Sequence, residues 1–212
     1  MSESSNGTSL REHALLFSRF LRSPRTVGAV TASSRALAEA MVDGLDLEKP
    51  GCIVELGPGT GAFTAAIVER LGGNTEFLAL DIEPTFVQEI QKRWPQVQCV
   101  CASAEQLKGL VAARGMGPVD HIVSGLPFVS LPPTVTREIL SNVVDVLRPG
   151  GTFTTFQYLH GYGLPPAINF RRNMTAQMSC APTARLVLRN VPPALVLTWK
   201  KQSPTTVGAP GL

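Results

Sequence analysis

Short apolar runs alternate with helical patterns through most of the chain, and this alternation constrains the fold more than any other feature. Five runs have the composition and length of β-strands, and they cover residues 52–56, 75–81, 97–101, 119–125 and 151–159. Helical patterns lie between them, near residues 61–71, 84–93, 103–113 and 133–147. Strands that alternate with helices in this way form a parallel sheet with crossover helices. The chain is therefore expected to fold as a doubly wound α/β domain.

The last third of the chain departs from this alternation. Two apolar runs, ARLVLRN (184–190) and ALVLTWKK (194–201), are separated only by a short VPP turn. A connection this short joins antiparallel strands, whereas parallel strands need a long crossover. We therefore predict a seven-stranded, mostly parallel sheet that ends in an antiparallel pair, within a single domain at residues 41–201.

The segments outside this domain have a different composition. Residues 1–9 and 202–212 are small and polar, and we predict a disordered lead-in and a disordered tail. Residues 10–40 are predicted to form a helical segment. On its helix, one face carries Leu10, Ala14, Phe17 and Leu21, and arginines lie on the other side. This pattern is typical of a helix that lies in a membrane interface or acts as a lid, although a helix packed on its own domain would also show it.

Charge, hydropathy and cysteine content exclude several classes of protein. A formal net charge of +3 is typical of an ordinary enzyme surface and does not require a polyanionic partner. No apolar run reaches the length of about 18 residues that crossing a bilayer requires. The four cysteines lack C-x-x-C spacing, so we expect no metal site and instead buried, reduced thiols at Cys52, Cys99, Cys101 and Cys180.

A glycine-rich turn, VELGPGTGAF (54–63), connects the first predicted strand to the first helix. Gly57, Gly59 and Gly61 permit a tight turn and a close approach of the backbone to a ligand, beside the free N–H groups of a helix N-terminus. Asp81 ends the second strand 20 residues beyond Gly61. A carboxylate at that place can accept hydrogen bonds from both ribose hydroxyls of a nucleoside ligand.

The spacing of this turn resembles the first motif of the S-adenosylmethionine-dependent methyltransferases, E-x-G-x-G-x-G, and departs from the dinucleotide fingerprint G-x-G-x-x-G. The resemblance implies a Rossmann-like class I methyltransferase fold, S-adenosylmethionine as cofactor, S-adenosylhomocysteine as product, and no metal. It also implies that Glu55 organises the loop and the methionine amino group, that the glycines line the cofactor, and that Asp81 holds the ribose. Ile82 would contact the cofactor beside Asp81.

Two further positions are expected to complete the cofactor site. In CASAEQL (101–107), Ser103 and Ala104 offer a hydroxyl and a backbone N–H to the adenine, although Ser103 as a plain helix N-cap explains the same residues. Ser124, at the end of the fourth predicted strand, is expected to lie against the cofactor as well.

The turn that follows Ser124 reads Gly125-Leu126-Pro127-Phe128. The rRNA adenine dimethylases, which this stretch resembles, carry Asn or Asp at the first position, where it accepts a hydrogen bond from the adenine amino group. Here the position is glycine, so the side-chain acceptor is missing. That difference counts against an adenine substrate and suits an amine that needs no in-plane acceptor.

Residues 20–41, 124–132 and 189–196 resemble the bacterial phospholipid N-methyltransferases. The resemblance implies stepwise methylation of phosphatidylethanolamine towards phosphatidylcholine. It implies a cytoplasmic protein bound peripherally to the inner face of the bacterial membrane, with a preference for anionic lipids and no nucleic-acid partner. The alternatives are an rRNA adenine-N6 dimethyltransferase, a small-molecule amine N-methyltransferase and a membrane-binding protein without catalysis.

The catalytic candidates are Gly125, Phe128 and Tyr158. Tyr158, at the end of the fifth strand, is expected to accept a hydrogen bond from the amine or to hold the methylated cation against its ring. Phe128 would complete an aromatic wall; ordinary packing is the alternative for both rings. His160 and Tyr162 are reserves for Tyr158. The residues expected to bind the rest of the substrate are Arg25, Arg35, Arg171, Arg172 and Tyr162.

Overall fold

A computed structural model describes residues 34–49 and 51–203 of the chain. Within these residues the strands are β1 (Cys52–Leu56), β2 (Glu76–Asp81), β3 (Gln98–Cys101), β4 (Val119–Ser124), β5 (Leu147–Tyr158), β6 (Thr183–Val187) and β7 (Ala194–Lys200). They form one sheet in the order β3-β2-β1-β4-β5-β7-β6. The first five strands pair in parallel, and β7 runs antiparallel to both β5 and β6. The predicted seven-stranded, mostly parallel sheet is confirmed.

The order of the strands determines where a ligand can bind. The chain adds β2 and β3 on one side of β1, and then crosses to the other side to add β4 and β5. A crevice opens at the carboxyl ends of the strands at such a reversal, between β1 and β4. The loops that follow β1, β2 and β4 therefore meet at one edge, which we call the carboxyl edge of the sheet.

Helices cover both faces of the sheet. The described helices are α1 (Arg35–Val42), α2 (Ala62–Val68), α3 (Pro84–Arg93), α4 (Leu107–Ala113), α5 (Pro133–Val146) and α6 (Pro165–Met178). One apolar core joins the sheet to α1, α2 and α3, and a second core joins it to α4, α5 and α6. Both faces are thus buried, as the apolar character of the strands requires. No described helix is long and apolar enough to span a membrane.

Helix α6 is absent from the sequence-based expectation, which leaves residues 160–183 irregular. The adjacent Pro165 and Pro166 suggest a break, yet they occupy the first turn of this helix, where a missing N–H costs no hydrogen bond. Its inner face, which anchors it to the sheet, comprises Ala167, Phe170, Met174 and Met178.

Helix α1 corrects the predicted domain boundary between residues 40 and 41, because that boundary falls inside the helix. The Ser34 hydroxyl caps α1 by accepting a hydrogen bond from the Leu37 N–H at 3.1 Å. Leu37 and Met41 are completely buried in the core. The domain therefore already includes residues 35–40. The predicted lead-in, residues 10–33 of the predicted helical segment, and all but the start of the predicted tail lie outside the described residues.

The four thiols do not share one environment. Cys52 and Cys99 are buried as predicted, and burial raises the pKa of each thiol to about 12. Cys101 is exposed and Cys180 is partly exposed, so the expectation of four buried thiols is wrong for these two. Cys101 ends β3, which is an edge strand of the sheet that the described residues form.

Candidate active site

The glycine loop leaves β1 at the carboxyl edge and turns sharply into α2. Gly57, Gly59 and Gly61 all have positive φ angles, of 72°, 54° and 85°, a region that residues with side chains rarely adopt. At Gly61 there is also no room for a side chain, because a Cβ would lie 2.6 Å from the Trp94 ring. The loop is fixed to β2 by a hydrogen bond of 2.8 Å from the Gly57 N–H to the Leu80 carbonyl.

Asp81 holds this loop from the neighbouring strand. One carboxylate oxygen accepts a hydrogen bond from the Gly59 N–H at 3.0 Å, and the other accepts from the Glu83 N–H at 2.9 Å. Burial raises the pKa of Asp81, and these two hydrogen bonds act in the opposite direction. Asp81 therefore lies where the sequence predicts, and it also supports the glycine loop that it follows.

Glu55 is a fully buried carboxyl group at the base of the loop. Its Oε2 accepts a hydrogen bond from the Thr64 hydroxyl at 2.7 Å, whereas its Oε1 has no partner among the described residues. A buried acceptor without a donor is costly. The amino group of a bound methionine moiety is a donor of the kind this oxygen lacks, so the residues present fit the predicted cofactor.

The environment of Glu55 predicts a pH dependence for the cofactor-free protein. Desolvation raises the pKa of this carboxyl from 4.5 to about 8. Between these values the folded state keeps a proton that the unfolded chain has lost, so the free energy of unfolding falls as pH rises. Glu55→Gln, which stays neutral, should reduce this slope by about 1 kcal/mol per pH unit. Denaturant unfolding of both proteins between pH 5 and pH 8 measures this slope. Equal slopes of unfolding free energy against pH for the two proteins would contradict the raised pKa of Glu55.

Some of the groups expected to contact the adenine already have partners within the protein. The Ser103 hydroxyl accepts a hydrogen bond from the Glu105 N–H and donates to the Glu105 carboxylate at 2.8 Å, so it acts as the N-cap that the alternative interpretation describes. Ala104 is buried, while Ile82 is exposed beside Asp81. Ser124 is completely buried, and its hydroxyl accepts a hydrogen bond from the Leu126 N–H at 3.3 Å.

Gly125 brings the turn after β4 into contact with the glycine loop. Its N–H donates to the Leu56 carbonyl at 2.8 Å. A Cβ built at Gly125 would lie 2.6 Å from the Gly57 carbonyl oxygen. Since that oxygen belongs to the backbone, the two turns pack so closely that a side chain at position 125 requires one of them to move.

Phe128 lies in the core and is not part of an open wall. Its ring stacks on Phe170 with centroids 4.7 Å apart and meets Phe153 edge-on at 6.1 Å. Only 6% of the residue is exposed. These contacts agree with the packing interpretation, and they attach the turn after β4 to α6.

Tyr158 stands at the end of β5, on the side of the sheet covered by α1 and α2. Its ring stacks on His160 at 5.7 Å and meets Phe156 edge-on at 5.3 Å. Partial burial raises the pKa of the phenol, so the hydroxyl remains protonated at neutral pH. The structure thus brings Tyr158 and its reserve His160 together.

The predicted cationic residues that the structure describes differ in their partners. The Arg171 Nη1 donates to the Gln157 Oε1 at 2.7 Å and to the Tyr162 carbonyl at 2.8 Å, and its guanidinium lies 3.7 Å from the centroid of the Tyr162 ring. Arg171 and Tyr162 are therefore engaged with each other. Arg35 pairs with Glu39 at 2.8 Å, Arg172 is exposed, and Arg25 lies outside the described residues.

Sequence reasoning missed two residues of the carboxyl edge, Thr64 and Gln157. Both are buried polar side chains, and both hold a group that the sequence did single out. Thr64 is the only hydroxyl in the apolar helix AFTAAIV. A lone hydroxyl on a buried helix face requires a partner, and this signal was available in the sequence.

The chain is similar to known methyltransferases. A family model described as a methyltransferase domain matches residues 53–151, which contain the glycine loop, Asp81 and Gly125. An ornithine lipid N-methyltransferase from Singulisphaera acidiphila is 28% identical over 147 residues, covering 68% of this chain and 77% of the relative. A methyltransferase-domain match over residues 53–151 and a methyltransferase relative thus both support the predicted S-adenosylmethionine-dependent methyltransferase.

Two further proteins are similar to this chain over a smaller part of their length or at lower identity. A ribosomal RNA small subunit methyltransferase A from Methylobacillus flagellatus is 27% identical over 54% of this chain, and the match spans only 43% of that relative. A solved structure of a 1,6-didemethyltoxoflavin-N1-methyltransferase from Burkholderia thailandensis superposes with a TM-score of 0.69 at 19% identity, covering 96% of this chain and 93% of that one. At this identity the likeness establishes the fold. The described residues contain no cluster of three or more metal-ligating side chains.

Proposed function

We propose that this methyltransferase methylates the primary amine in the headgroup of a membrane phospholipid. The acceptor would be phosphatidylethanolamine and its mono- and dimethylated forms, leading towards phosphatidylcholine. The enzyme would act as a peripheral protein at the inner face of the cell membrane. Gly125 is the observation that carries this proposal.

The surroundings of Gly125 argue against a nucleobase acceptor. An adenine amino group is held in the plane of its ring, and the related rRNA enzymes meet it with a side-chain acceptor at this turn. In the present chain a side chain there would collide with the Gly57 carbonyl at 2.6 Å. A flexible alkyl amine has no ring plane to fix and does not need that acceptor.

The ornithine lipid N-methyltransferase supports a lipid amine and supplies a second candidate acceptor. Ornithine and ethanolamine both present a primary amine on a short flexible chain. The described residues that we assign to the acceptor do not distinguish the two headgroups. A direct comparison of both lipids as substrates is therefore part of the test below.

The chemistry requires a neutral amine placed in line with the transferred methyl group. When bound, S-adenosylmethionine supplies this methyl group as an electrophile. A free alkyl ammonium has a pKa of about 10.4, so only a small fraction is neutral near pH 7. Tyr158 is partly removed from solvent. An amine beside it would be partly desolvated too, and desolvation lowers the pKa of an amine. The neutral Tyr158 hydroxyl then accepts a hydrogen bond from the amine and orients its lone pair.

Two substitutions at Tyr158 separate the hydroxyl from the ring. If the hydroxyl orients the amine, Tyr158→Phe should lower kcat about tenfold, because the variant removes one acceptor and keeps the ring. Tyr158→Leu should lower it further, since it also removes the surface that holds the methylated cation. Initial rates at saturating cofactor measure both effects. Wild-type rates for both variants would exclude Tyr158 from the acceptor site.

Methyl transfer from radiolabelled S-adenosylmethionine into liposomes tests the proposal. One set of liposomes contains phosphatidylethanolamine, a second contains ornithine lipid, and each is prepared with and without an anionic lipid. Labelled phosphatidylethanolamine supports the proposed acceptor. Label confined to ornithine lipid would show that ornithine lipid, and not phosphatidylethanolamine, is the acceptor. Labelled rRNA with no labelled lipid would overturn the proposal, provided that calorimetry shows cofactor binding.

A further inference from the structure

The loop between β6 and β7, residues 188–193, exposes two large apolar side chains. We call it the hairpin tip. Leu188 is 68% exposed and Val191 is 70% exposed, more than any other large apolar side chain in the described part of the chain. Large apolar side chains that are exposed together on one short loop indicate an interaction surface, whereas single exposed apolar residues are common.

The hairpin tip lies at the carboxyl edge, where the cofactor loop also lies. β7 is antiparallel to β5, and its first residue, Ala194, pairs with Tyr158 at the last residue of β5. The Leu159 N–H donates to the Pro193 carbonyl at 2.8 Å, so the chain after β5 contacts the tip directly. Two further exposed apolar side chains follow there, Leu159 at 45% and Leu164 at 55%.

These four side chains form what we call the apolar rim: Leu159, Leu164, Leu188 and Val191. A cation accompanies them, because the exposed Arg189 stands between the two residues of the hairpin tip. Apolar side chains combined with arginine are suited to a lipid interface, where the former enter the acyl boundary and the latter meets anionic headgroups.

The N-terminal segment of 33 residues joins the described fold at the same place. The Ser34 N–H donates to the Asn190 Oδ1 at 3.0 Å, and the Asn190 side chain donates to the Pro192 carbonyl at 2.7 Å. Asn190 is 3% exposed and therefore fixes this junction firmly. The segment whose sequence predicts an apolar face bordered by arginines is thus tethered to the hairpin tip.

We infer that the apolar rim is a membrane contact in its own right, with Leu188 and Val191 entering the interface of an anionic bilayer. This inference rests on the proposed lipid substrate. It names a contact in addition to the predicted N-terminal helix. A contact at the hairpin tip turns the carboxyl edge, with Tyr158 and the glycine loop, towards the lipid headgroups. A lipid amine then reaches the methyl group without leaving the membrane.

The test compares the full chain with the double variant Leu188→Ser/Val191→Ser and with the control Leu186→Ser. Leu186 is also an exposed leucine of this hairpin, at 48%, but it lies within the paired strand β6. Flotation with vesicles of phosphatidylethanolamine and an anionic lipid measures binding. The double variant should bind about tenfold more weakly, because two apolar side chains no longer leave water. The control should bind like the wild type.

A tryptophan at the hairpin tip reports the contact directly. The emission of Leu188→Trp, measured against the wild-type background of Trp94 and Trp199, should shift to the blue with these vesicles and be quenched by brominated lipids. Leu186→Trp should respond less. Unchanged S-adenosylhomocysteine affinity by calorimetry shows that each variant is folded. Wild-type vesicle binding by the double variant, or no quenching at position 188, would overturn the inference.

The outcomes separate this inference from the proposed function. If the double variant loses vesicle binding while the wild type labels no lipid, the membrane contact is supported and the proposed substrate is refuted. Labelled lipid with undiminished binding by the double variant keeps the substrate and overturns the contact. A wild-type dimer in solution that the double variant converts to a monomer would assign the rim to a second copy of the chain and overturn the contact as well.

Discussion

Replacing Gly125 with alanine is expected to weaken the binding of S-adenosylhomocysteine by between about tenfold and 100-fold. The added Cβ would lie 2.6 Å from the Gly57 carbonyl oxygen, closer than such atoms approach each other. The obstacle is backbone, so the glycine loop or the turn after β4 must shift. Either shift displaces backbone groups that are expected to contact the cofactor, so kcat should fall along with affinity.

The matched control for this substitution is Gly163→Ala. A Cβ at Gly163 would meet no atom within 4 Å, so the same change in composition should leave affinity and rate near the wild-type values. Calorimetry with S-adenosylhomocysteine and thermal unfolding of both variants measure the effect. Full affinity in Gly125→Ala, with unchanged unfolding, would show that the contact between the two turns is looser than described.

Replacing Asp81 with alanine should weaken cofactor binding by about 100-fold or more, since hydrogen bonds to a charged acceptor contribute about 1.5–3 kcal/mol each. The substitution removes the acceptors of the Gly59 and Glu83 N–H groups, at 3.0 Å and 2.9 Å. It also removes the carboxylate expected to hold the ribose. Asp81→Asn keeps one acceptor but places an amide donor against the second backbone N–H. Its affinity for the cofactor should therefore lie between that of the wild type and that of Asp81→Ala.

An aspartate elsewhere provides the control for Asp81. Asp145 pairs with Lys108 at 2.7 Å, and its side chain is 45% exposed. Surface pairs of this kind contribute about 0–1 kcal/mol to stability, so Asp145→Ala should bind the cofactor like the wild type. Equal affinities for Asp81→Ala and Asp145→Ala would remove Asp81 from the cofactor site.

The sheet could be predicted from the sequence because each of its first five strands is an apolar run bounded by turn residues. The antiparallel pair followed from the short VPP connection. Helix α6 could not be predicted, since its two prolines suggest a break and its buried positions become recognisable only once the sheet they pack on is known. For α1 the helical character of residues 35–40 was predicted, but its place in the domain was not, because Leu37 and Met41 belong to a core assembled from distant strands.

For the site, the positions of the glycine loop and of Asp81 were predictable because a loop between a strand and a helix, and the end of a strand, follow from local sequence patterns. The absence of a side chain at position 125 was visible in the sequence, but its cause was not. That cause is a contact with Gly57, which lies 68 residues earlier in the chain. The arginines could not be assigned either, because partners such as Gln157 for Arg171 come from elements whose relative positions only the fold defines.

The contacts of Arg171 have a consequence for how the carboxyl edge can move. This single side chain of α6 is bonded to the end of β5 through Gln157 and to the following turn through the backbone and ring of Tyr162. Opening the edge by swinging α6 alone would break all three contacts at once. Residues 157–162 and the first half of α6 are therefore linked through one side chain, and we expect a widening of the carboxyl edge to displace them together.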